Sequence, residues 1–414
     1  MTPSMTYARP VEPHTWFDCF ETAEDRALRA EVRAFVWEQF EGLRDEIDAK
    51  GRCDHLMPLL GERGYIGTLV RPEYGGAGLG LGASVLIAEV LGGVIPSLAA
   101  LRAVSGVFVA KPLEEFGTQE QIDAWLRPIL TGEYTTAVAM TEPQSGSDLA
   151  AMLCNAVPDG EGWVLNGTKK FISGATESDF ILCYVTTNPD AAPHQRLSGF
   201  IIPTNHPGVD VSKAAQTMGV KGLSHSWVHL ENVRLGPEHL LGQPGEGLRM
   251  LEFLLAAERI DIAARALGNG TRAFEEARAY ADVRQVSGRP IRKFQAINHR
   301  LADMRATIDA GRLLVLRAAR YYDQALSEHG AEAASQICNE EASIAKLYCP
   351  EKSFWVCDQA MQIMGGHGYE QGTAVEAMFR DVRVLRFGGG TDEIQRHIIQ
   401  REDYSRFHQS REES

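Results

Sequence analysis

The spacing of apolar residues divides the chain into three blocks. The first block, from about residue 22 to residue 132, repeats apolar positions near the 3.6-residue period of a helix, as in DRALRAEVRAFVWEQF. A second block has a period of two, in segments rich in β-branched and aromatic residues such as DFILCYV and SGFIIP. Long helical patterns then return. The pattern predicts an α+β, mostly α fold, with an N-terminal α-helical domain (residues 1–133), a central β domain (134–246) and a C-terminal four-helix bundle (247–414).

Local signals support these blocks. Thr22 is followed three residues later by Asp25, and Thr118 by Gln121, which is the spacing of a capping box at a helix start. In the run WVLNGTKKFIS, the pair Asn166-Gly167 separates two strand-like stretches. Because this pair suits the positive φ angles of a tight turn, it predicts a β-hairpin.

Composition excludes several classes of protein. The net charge of -14 disfavours nucleic acid and anionic membrane surfaces as partners. No run of 18 apolar residues occurs, and the N-terminal stretch shows no signal pattern, so we expect a cytoplasmic protein without a membrane span. The seven cysteines form no CxxC pair, which favours buried, reduced thiols. The twelve histidines show no HExxH motif, so no metal site is predicted.

Three glycine-rich stretches are candidates for ligand binding. PEYGGAGLGLGA matches a dinucleotide fingerprint formally, but its flanks are helical, which favours a loop that leads into a helix. AMTEPQSGSDLA follows a strand, and its hydroxyls and backbone N–H groups suit a phosphate or a polar ring, or else an ordinary turn. The run 388–390 precedes a helix capped by Thr391. It is either a phosphate cradle or a gap where other proteins carry a reactive side chain.

A single carboxylate interrupts an apolar helix face in LLAAERIDIAARALG. Glu258 comes four residues after Leu254 and four before Ile262. Desolvation at such a position raises the pKa of a glutamate towards neutrality, which suits a general base. The alternative is a structural glutamate paired with Arg259 or Arg265.

Seven segments together resemble the acyl-CoA dehydrogenase family of flavoproteins. They are PEYGGAGLG, TEPQSGSD, NGTKKFIS, MGVKG, RQVSGRPIRKFQ, QIMGGHGY and GGGTDEIQR, in family order. The resemblance implies the same three domains and an FAD bound between the β domain and the bundle. It also implies a homotetramer, a dimer of dimers in which FAD is shared across a dimer contact. Substrates would be acyl-CoA or an acyl-carrier protein in fatty acid metabolism, and an electron-transferring flavoprotein would accept the electrons.

The resemblance also assigns site residues. It implies that a first set of residues lines the flavin. A second set would hold the phosphates and adenosine of FAD across the contact between two subunits, and a third set would lie on the substrate side. Phe171 and Ser173 stand where the family usually has Trp and Thr, and Ser287 where an aromatic is common. The three sets are Met140, Thr141, Gly146, Ser147, Phe171, Ile172, Ser173, Thr391 and Glu393; Arg284, Gln295, Gln362, Gly365 and Gly366; and Ser147, Arg259, Gly389 and Arg401.

The catalytic base is the point at which relatives differ. Many members carry a glutamate immediately before the Gly-Thr of the last motif, where this chain has Gly389. The isovaleryl and long-chain types place it on a bundle helix, at the position that Glu258 matches. We therefore expect Glu258 to remove the α-proton of an acyl thioester while flavin N5 accepts the β-hydride. We also expect Gly389 to leave room for a branched, bulky or tethered substrate. The alternatives are a flavin monooxygenase or oxidase on the same fold and a non-catalytic flavin or acyl-carrier binding protein.

Overall fold

The N-terminal block is built from short helices. The structure is a computed structural model that describes residues 20–412, so Cys19 and the stretch before it lie outside the described residues. Both predicted capping boxes are present, at Thr22 with Asp25 and at Thr118 with Gln121. Two π-helical segments, Val104–Ala110 and Ile122–Leu126, interrupt the helices. The helices are α1 (Ala23–Phe40), α2 (Arg44–Lys50), α3 (Met57–Glu62), α4 (Gly80–Val94), α5 (Pro96–Ala103), α6 (Lys111–Phe116), α7 (Gln119–Gln121) and α8 (Arg127–Leu130).

The central block forms one twisted sheet. Its strands are β1 (Thr136–Ala139), β2 (Asn155–Asp159), β3 (Gly162–Ser173), β4 (Phe180–Thr186), β5 (Leu197–Pro203), β6 (Val209–Asp210), β7 (His225–Leu235) and β8 (Leu240–Leu241). The strand order is β6-β7-β3-β2-β4-β5-β8, and β1 pairs with β4 in parallel. All seven residues of β4 are buried, since this strand lies between β1 and β5 and is covered on both faces.

The predicted hairpin at Asn166-Gly167 is wrong. Strand β3 runs straight through this pair, and the chain turns instead between Asp159 and Gly162. The pairing of β3 with β7 shifts register at Gly167, whose φ is 141°. A conformation that suits a turn also suits a β-bulge. The Asn166 side chain accepts a hydrogen bond from the backbone N–H of Asn232 at 2.8 Å, which secures the bulge against β7.

The C-terminal block contains four long helices, as predicted, with shorter helices between them. The first of these long helices, Gly247–Val283, contacts the next two, Gln295–His329 and Asn339–Met364. It also contacts α4 of the first block. Thr391 accepts the N–H of Ile394 and so caps the last helix. The elements are α9 (Gly247–Val283), β9 (Gln285–Val286), β10 (Arg289–Pro290), α10 (Gln295–His329), α11 (Ala331–Ile337), α12 (Asn339–Met364), α13 (Gly366–Tyr369), α14 (Ala374–Val382) and α15 (Asp392–Glu412).

Two general expectations can be compared with the structure. The six cysteines between residues 20 and 412 are buried and free, as predicted for reduced thiols. Over the same residues, none of the helices combines the length and the apolar character that crossing a bilayer requires.

Candidate active site

A cavity of about 210 Å³ lies where the β domain meets the bundle. The sheet supplies one wall, α5 with its π-helical extension supplies a second, and α9 a third. The residue run 388–389 closes one side. Lining residues from these elements include Met140, Thr141, Phe171, Ile172, Ser173 and His225 from the sheet side, Pro96, Ala100, Val104 and Phe108 from the α5 side, and Glu258, Ile262, Arg265 and Asn269 from α9.

The cavity gathers seven of the predicted site residues: Met140, Thr141, Phe171, Ile172, Ser173, Glu258 and Gly389. Arg259 is buried beside Glu258, and Thr391 is half-buried at the start of α15. The remaining predicted residues lie outside the cavity and are exposed, so their roles, including those across a subunit contact, stay predictions. They are Gly146, Ser147, Arg284, Gln295, Gln362, Gly365, Gly366, Glu393 and Arg401.

Glu258 is a buried carboxyl without a bound cation. Its exposed fraction is 4%, and burial raises its pKa to about 7 even though neighbouring cations oppose the rise. Arg265 instead pairs with Asp261 at 2.7 Å, and Arg259 donates to the Asn339 side chain at 2.6 Å. Within residues 20–412, the Glu258 carboxyl has neither a salt bridge nor a hydrogen bond. Neither Arg259 nor Arg265 forms a direct ion pair with Glu258 in this part of the chain, so the structure gives no support to a glutamate held by direct pairing.

Gly389 adopts a conformation that disfavours any other residue. Its φ is +65°, and a β-carbon added there would lie 2.5 Å from Cδ1 of Ile262. The carboxyl of Glu258 lies on the same side. The expectation that Gly389 leaves room for a branched or bulky substrate is therefore wrong, because Ile262 and Glu258 already fill that space.

The side chains of Lys346 and Gln395 hold the glycine run 388–390 in place through hydrogen bonds to carbonyl oxygens of this loop. Lys346 is fully buried, and its ammonium donates hydrogen bonds to the carbonyl oxygens of Arg386, at 3.1 Å, and Gly390. The Gln395 amide donates to the carbonyl oxygens of Gly389 and Gly390, both at 3.2 Å. Burial lowers the pKa of Lys346 to about 8. Sequence reasoning missed both residues, since nothing in their local pattern indicates a contact with this loop.

A second buried cation, Lys169, holds the segment that follows β1 in place on the sheet side of the cavity. Lys169, fully buried in β3, donates to the Met140 carbonyl at 3.0 Å and to Glu142 at 2.8 Å. Glu142 also accepts the backbone N–H groups of Leu153 and Cys154. Burial raises the pKa of Glu142, but Lys169 and these hydrogen bonds outweigh it and lower the pKa. The ion pair thus fixes both ends of the segment that carries Thr141. The doubled lysine in NGTKKFIS was the only indication of this ion pair in the sequence.

The end of β3 offers a surface for a flat ring. Phe171 is half exposed at the cavity wall, in a left-handed conformation with φ of 60°. Two residues later, the Ser173 hydroxyl lies 3.1 Å from Nδ1 of His225 on β7. Burial lowers the pKa of His225, which keeps the imidazole neutral. An aromatic face with a hydroxyl at its edge can hold a planar aromatic cofactor by stacking and hydrogen bonding.

Family models for the N-terminal, middle and C-terminal domains of acyl-CoA dehydrogenases match residues 22–133, 137–233 and 245–402. The chain belongs to the acyl-CoA dehydrogenase family. It is an FAD-dependent oxidoreductase.

Relatives of this acyl-CoA dehydrogenase family member cover almost the whole chain. A 3-(aryl)acrylate reductase of Clostridium sporogenes is 33% identical over 92% of this chain and 98% of its own length. The mitochondrial short-chain specific acyl-CoA dehydrogenase of Bos taurus is 32% identical over 93% of this chain and 92% of its own. The structure of an FAD-complexed acyl-CoA dehydrogenase from Bacillus anthracis superposes with a TM-score of 0.87 at 27% identity, covering 94% of this chain and 68% of that one.

Proposed function

We propose that this protein dehydrogenates an acyl thioester between its α and β carbons, with Glu258 as the general base. The observation that carries the proposal is a buried carboxyl, free of any ion pair within the described residues, in contact with the space in front of Gly389. A base in this position removes a proton from a substrate bound in the cavity, and the product is the α,β-unsaturated thioester.

The environment of Glu258 suits this task. A pKa of about 7 makes the carboxyl a stronger base than an ordinary glutamate, yet leaves it ionised in part near neutral pH. Its buried neighbours Arg259, Arg265 and Lys346 favour the ionised form without binding it directly. FAD, if held in this cavity by the residues around Phe171 and Ser173, would supply the hydride acceptor for the β-hydrogen.

The remaining parts of the proposal rest on the family resemblance. Ser147, Arg259 and Arg401 would contact the thioester arm of the substrate, with the acyl group attached to CoA or to a carrier protein. Arg284, Gln295, Gln362, Gly365 and Gly366 would hold FAD across a dimer contact within a homotetramer. An electron-transferring flavoprotein would collect the electrons.

The test is anaerobic titration of the purified FAD protein with a panel of acyl-CoAs and acyl-carrier proteins, following loss of flavin absorbance. We expect Glu258→Gln to slow this loss on the order of 10²–10⁴-fold while FAD stays bound. Glu252→Gln is the matched control, because Glu252 is an exposed glutamate on the same helix. Normal bleaching in Glu258→Gln would refute the assignment. Oxygen consumption with a hydroxylated product would indicate a monooxygenase instead.

A further inference from the structure

The cavity extends well beyond the proposed base. Glu258, Ile262, Arg265 and Asn269 all line it and follow one face of α9. At 1.5 Å per residue, Arg265 lies about 10 Å along the helix axis from Glu258. Glu258 and Arg265 therefore mark two separate positions along the cavity, with the apolar side chain of Ile262 between them.

The neighbouring helices identify the Arg265 position as the far end. The Asn269 amide donates to the carbonyl of Gly92 at 3.0 Å, near the end of α4. Pro96 starts α5 four residues later and also lines the cavity. From there, Ala100 and Val104 form a wall without polar groups. Apart from polar residues of the sheet side and Asp381, which is paired with Arg44, the cavity has the carboxyl of Glu258 and the guanidinium of Arg265 at separate positions, with apolar side chains between them.

The guanidinium belongs to a buried cluster with excess positive charge. Nε of Arg265 donates to Oδ1 of Asp261 at 2.7 Å, and Nη1 of Arg102 donates to Oδ2 of the same carboxyl at 3.1 Å. The other contacts of Arg102 are neutral: the Tyr65 carbonyl and two hydroxyl groups, those of Thr68 and Ser84. In their direct ion pairs the two cations thus share one anion, and Glu258 acts on Arg265 only at longer range.

Arg265 retains hydrogen-bonding capacity. Although only 8% of the residue is exposed, its two terminal nitrogens have no hydrogen-bond partner among residues 20–412. Neither nitrogen is fully buried, so a ligand in the cavity can reach both of them.

We propose that the acyl group carries a carboxylate at its end remote from the thioester, and that Arg265 binds this carboxylate. The inference rests on the proposed function, since it places the thioester beside Glu258. A carboxylate would match the two terminal nitrogens of the guanidinium and would balance the second positive charge of the cluster. The substrate class is therefore an ω-carboxyacyl thioester, with the apolar wall contacting the carbon chain between its two ends.

The first experiment uses the wild-type FAD protein. Under anaerobic conditions, flavin bleaching is compared for ω-carboxyacyl-CoAs of increasing length, for their ω-methyl esters and for methyl-terminated acyl-CoAs of equal length. We expect the free carboxylate to give the highest kcat/KM, by roughly 30-fold or more over its ester, as a buried charge-assisted contact provides. Equal values for acid and ester would overturn the inference.

The second experiment changes the binding residue. Arg265→Met should abolish the preference for the carboxylate. Arg265→Lys should retain part of it, because a lysine keeps the positive charge but lacks the two parallel N–H donors of the guanidinium. Arg249→Met is the control, since Arg249 is an exposed arginine on the same helix. An unchanged preference in a folded, FAD-loaded Arg265→Met protein would also overturn the inference.

A binding measurement separates this inference from the proposed reaction. An ω-carboxyacyl-CoA with sulfur in place of the β-carbon has no β-hydrogen to lose, so its binding is followed by the shift of the flavin spectrum alone. If this analogue binds more tightly than its methyl ester, but no acyl-CoA bleaches the flavin, the carboxylate site stands and the proposed reaction fails. If methyl-terminated substrates bleach the flavin and the acid has no advantage, the reaction stands and the carboxylate site fails.

Discussion

Oε1 of Glu258 lies 2.9 Å from the position that a β-carbon on Gly389 would occupy. The two residues belong to different elements, α9 and the loop before α15, yet they meet at one point of the cavity. A side chain at residue 389 would therefore meet the carboxyl of Glu258. The two positions are thus sterically coupled.

The first prediction concerns this steric link. Gly389→Ala should lower the free energy of unfolding by about 1–3 kcal/mol, because the residue has a left-handed φ and the new methyl group meets Ile262 and Glu258. Glu258→Ala should relieve part of that cost. A double-mutant cycle in urea should therefore give a coupling energy of about 0.5 kcal/mol or more. Strict additivity of the two variants would contradict the contact.

The second prediction concerns the pH dependence of stability. The pKa of Glu258 rises from 4.5 to about 7 on folding. Its contribution to stability is present in full below pH 4.5 and is lost as pH rises through 7, since only the folded state then carries a desolvated charge. Compared with wild type, the Glu258→Gln apoprotein should gain stability between pH 5 and pH 8.5, on the order of 3 kcal/mol at most.

The measurement is urea unfolding of both apoproteins across this pH range. Glu252→Gln should follow the wild-type profile in parallel, because its carboxylate is exposed on the same helix. Parallel profiles for wild type and Glu258→Gln would show that the carboxyl of Glu258 titrates as it does in the unfolded chain.

Sequence patterns predicted the features that depend on local physics. The capping box at Thr22, the alternating burial along β7 and the buried position of Glu258 each follow from spacing within a few residues. The pair Asn166-Gly167 was misassigned for the same reason. A preference for an unusual backbone conformation does not distinguish a turn from a bulge, and only the partner strand decides between them.

Contacts between distant parts of the chain had no such signal. Lys346 reaches the carbonyl of Gly390 across 44 residues, and Arg102 reaches Asp261 across 159 residues. A lysine or an arginine in a helical pattern ordinarily predicts an exposed face. Its burial becomes visible only when the partner element is in place, so the far end of the cavity could not be predicted.

The third prediction concerns Lys346. Lys346→Met should leave the carbonyl groups of Arg386 and Gly390 without their donor, and so loosen the loop in front of Glu258. We expect kcat/KM for flavin bleaching to fall about tenfold or more while FAD stays bound, because small displacements of a positioned group are costly to catalysis. Lys352→Met, on the same helix but half exposed, should change little. Equal kinetics in the two variants would argue against a positioning role for Lys346.

The fourth prediction concerns the buried pair Lys169–Glu142. Removing only the lysine leaves a carboxylate that has lost its counterion in the interior, so Lys169→Met should destabilise the protein by about 3–5 kcal/mol. It should also raise the rate of FAD release, because Lys169 holds the carbonyl of Met140 at the cavity wall. The double variant with Glu142→Gln should recover part of the loss in stability, since the unpaired charge is gone. Thermal unfolding and flavin fluorescence report the two effects separately. If the double variant is no more stable than Lys169→Met alone, the carboxylate of Glu142 is not the source of the cost.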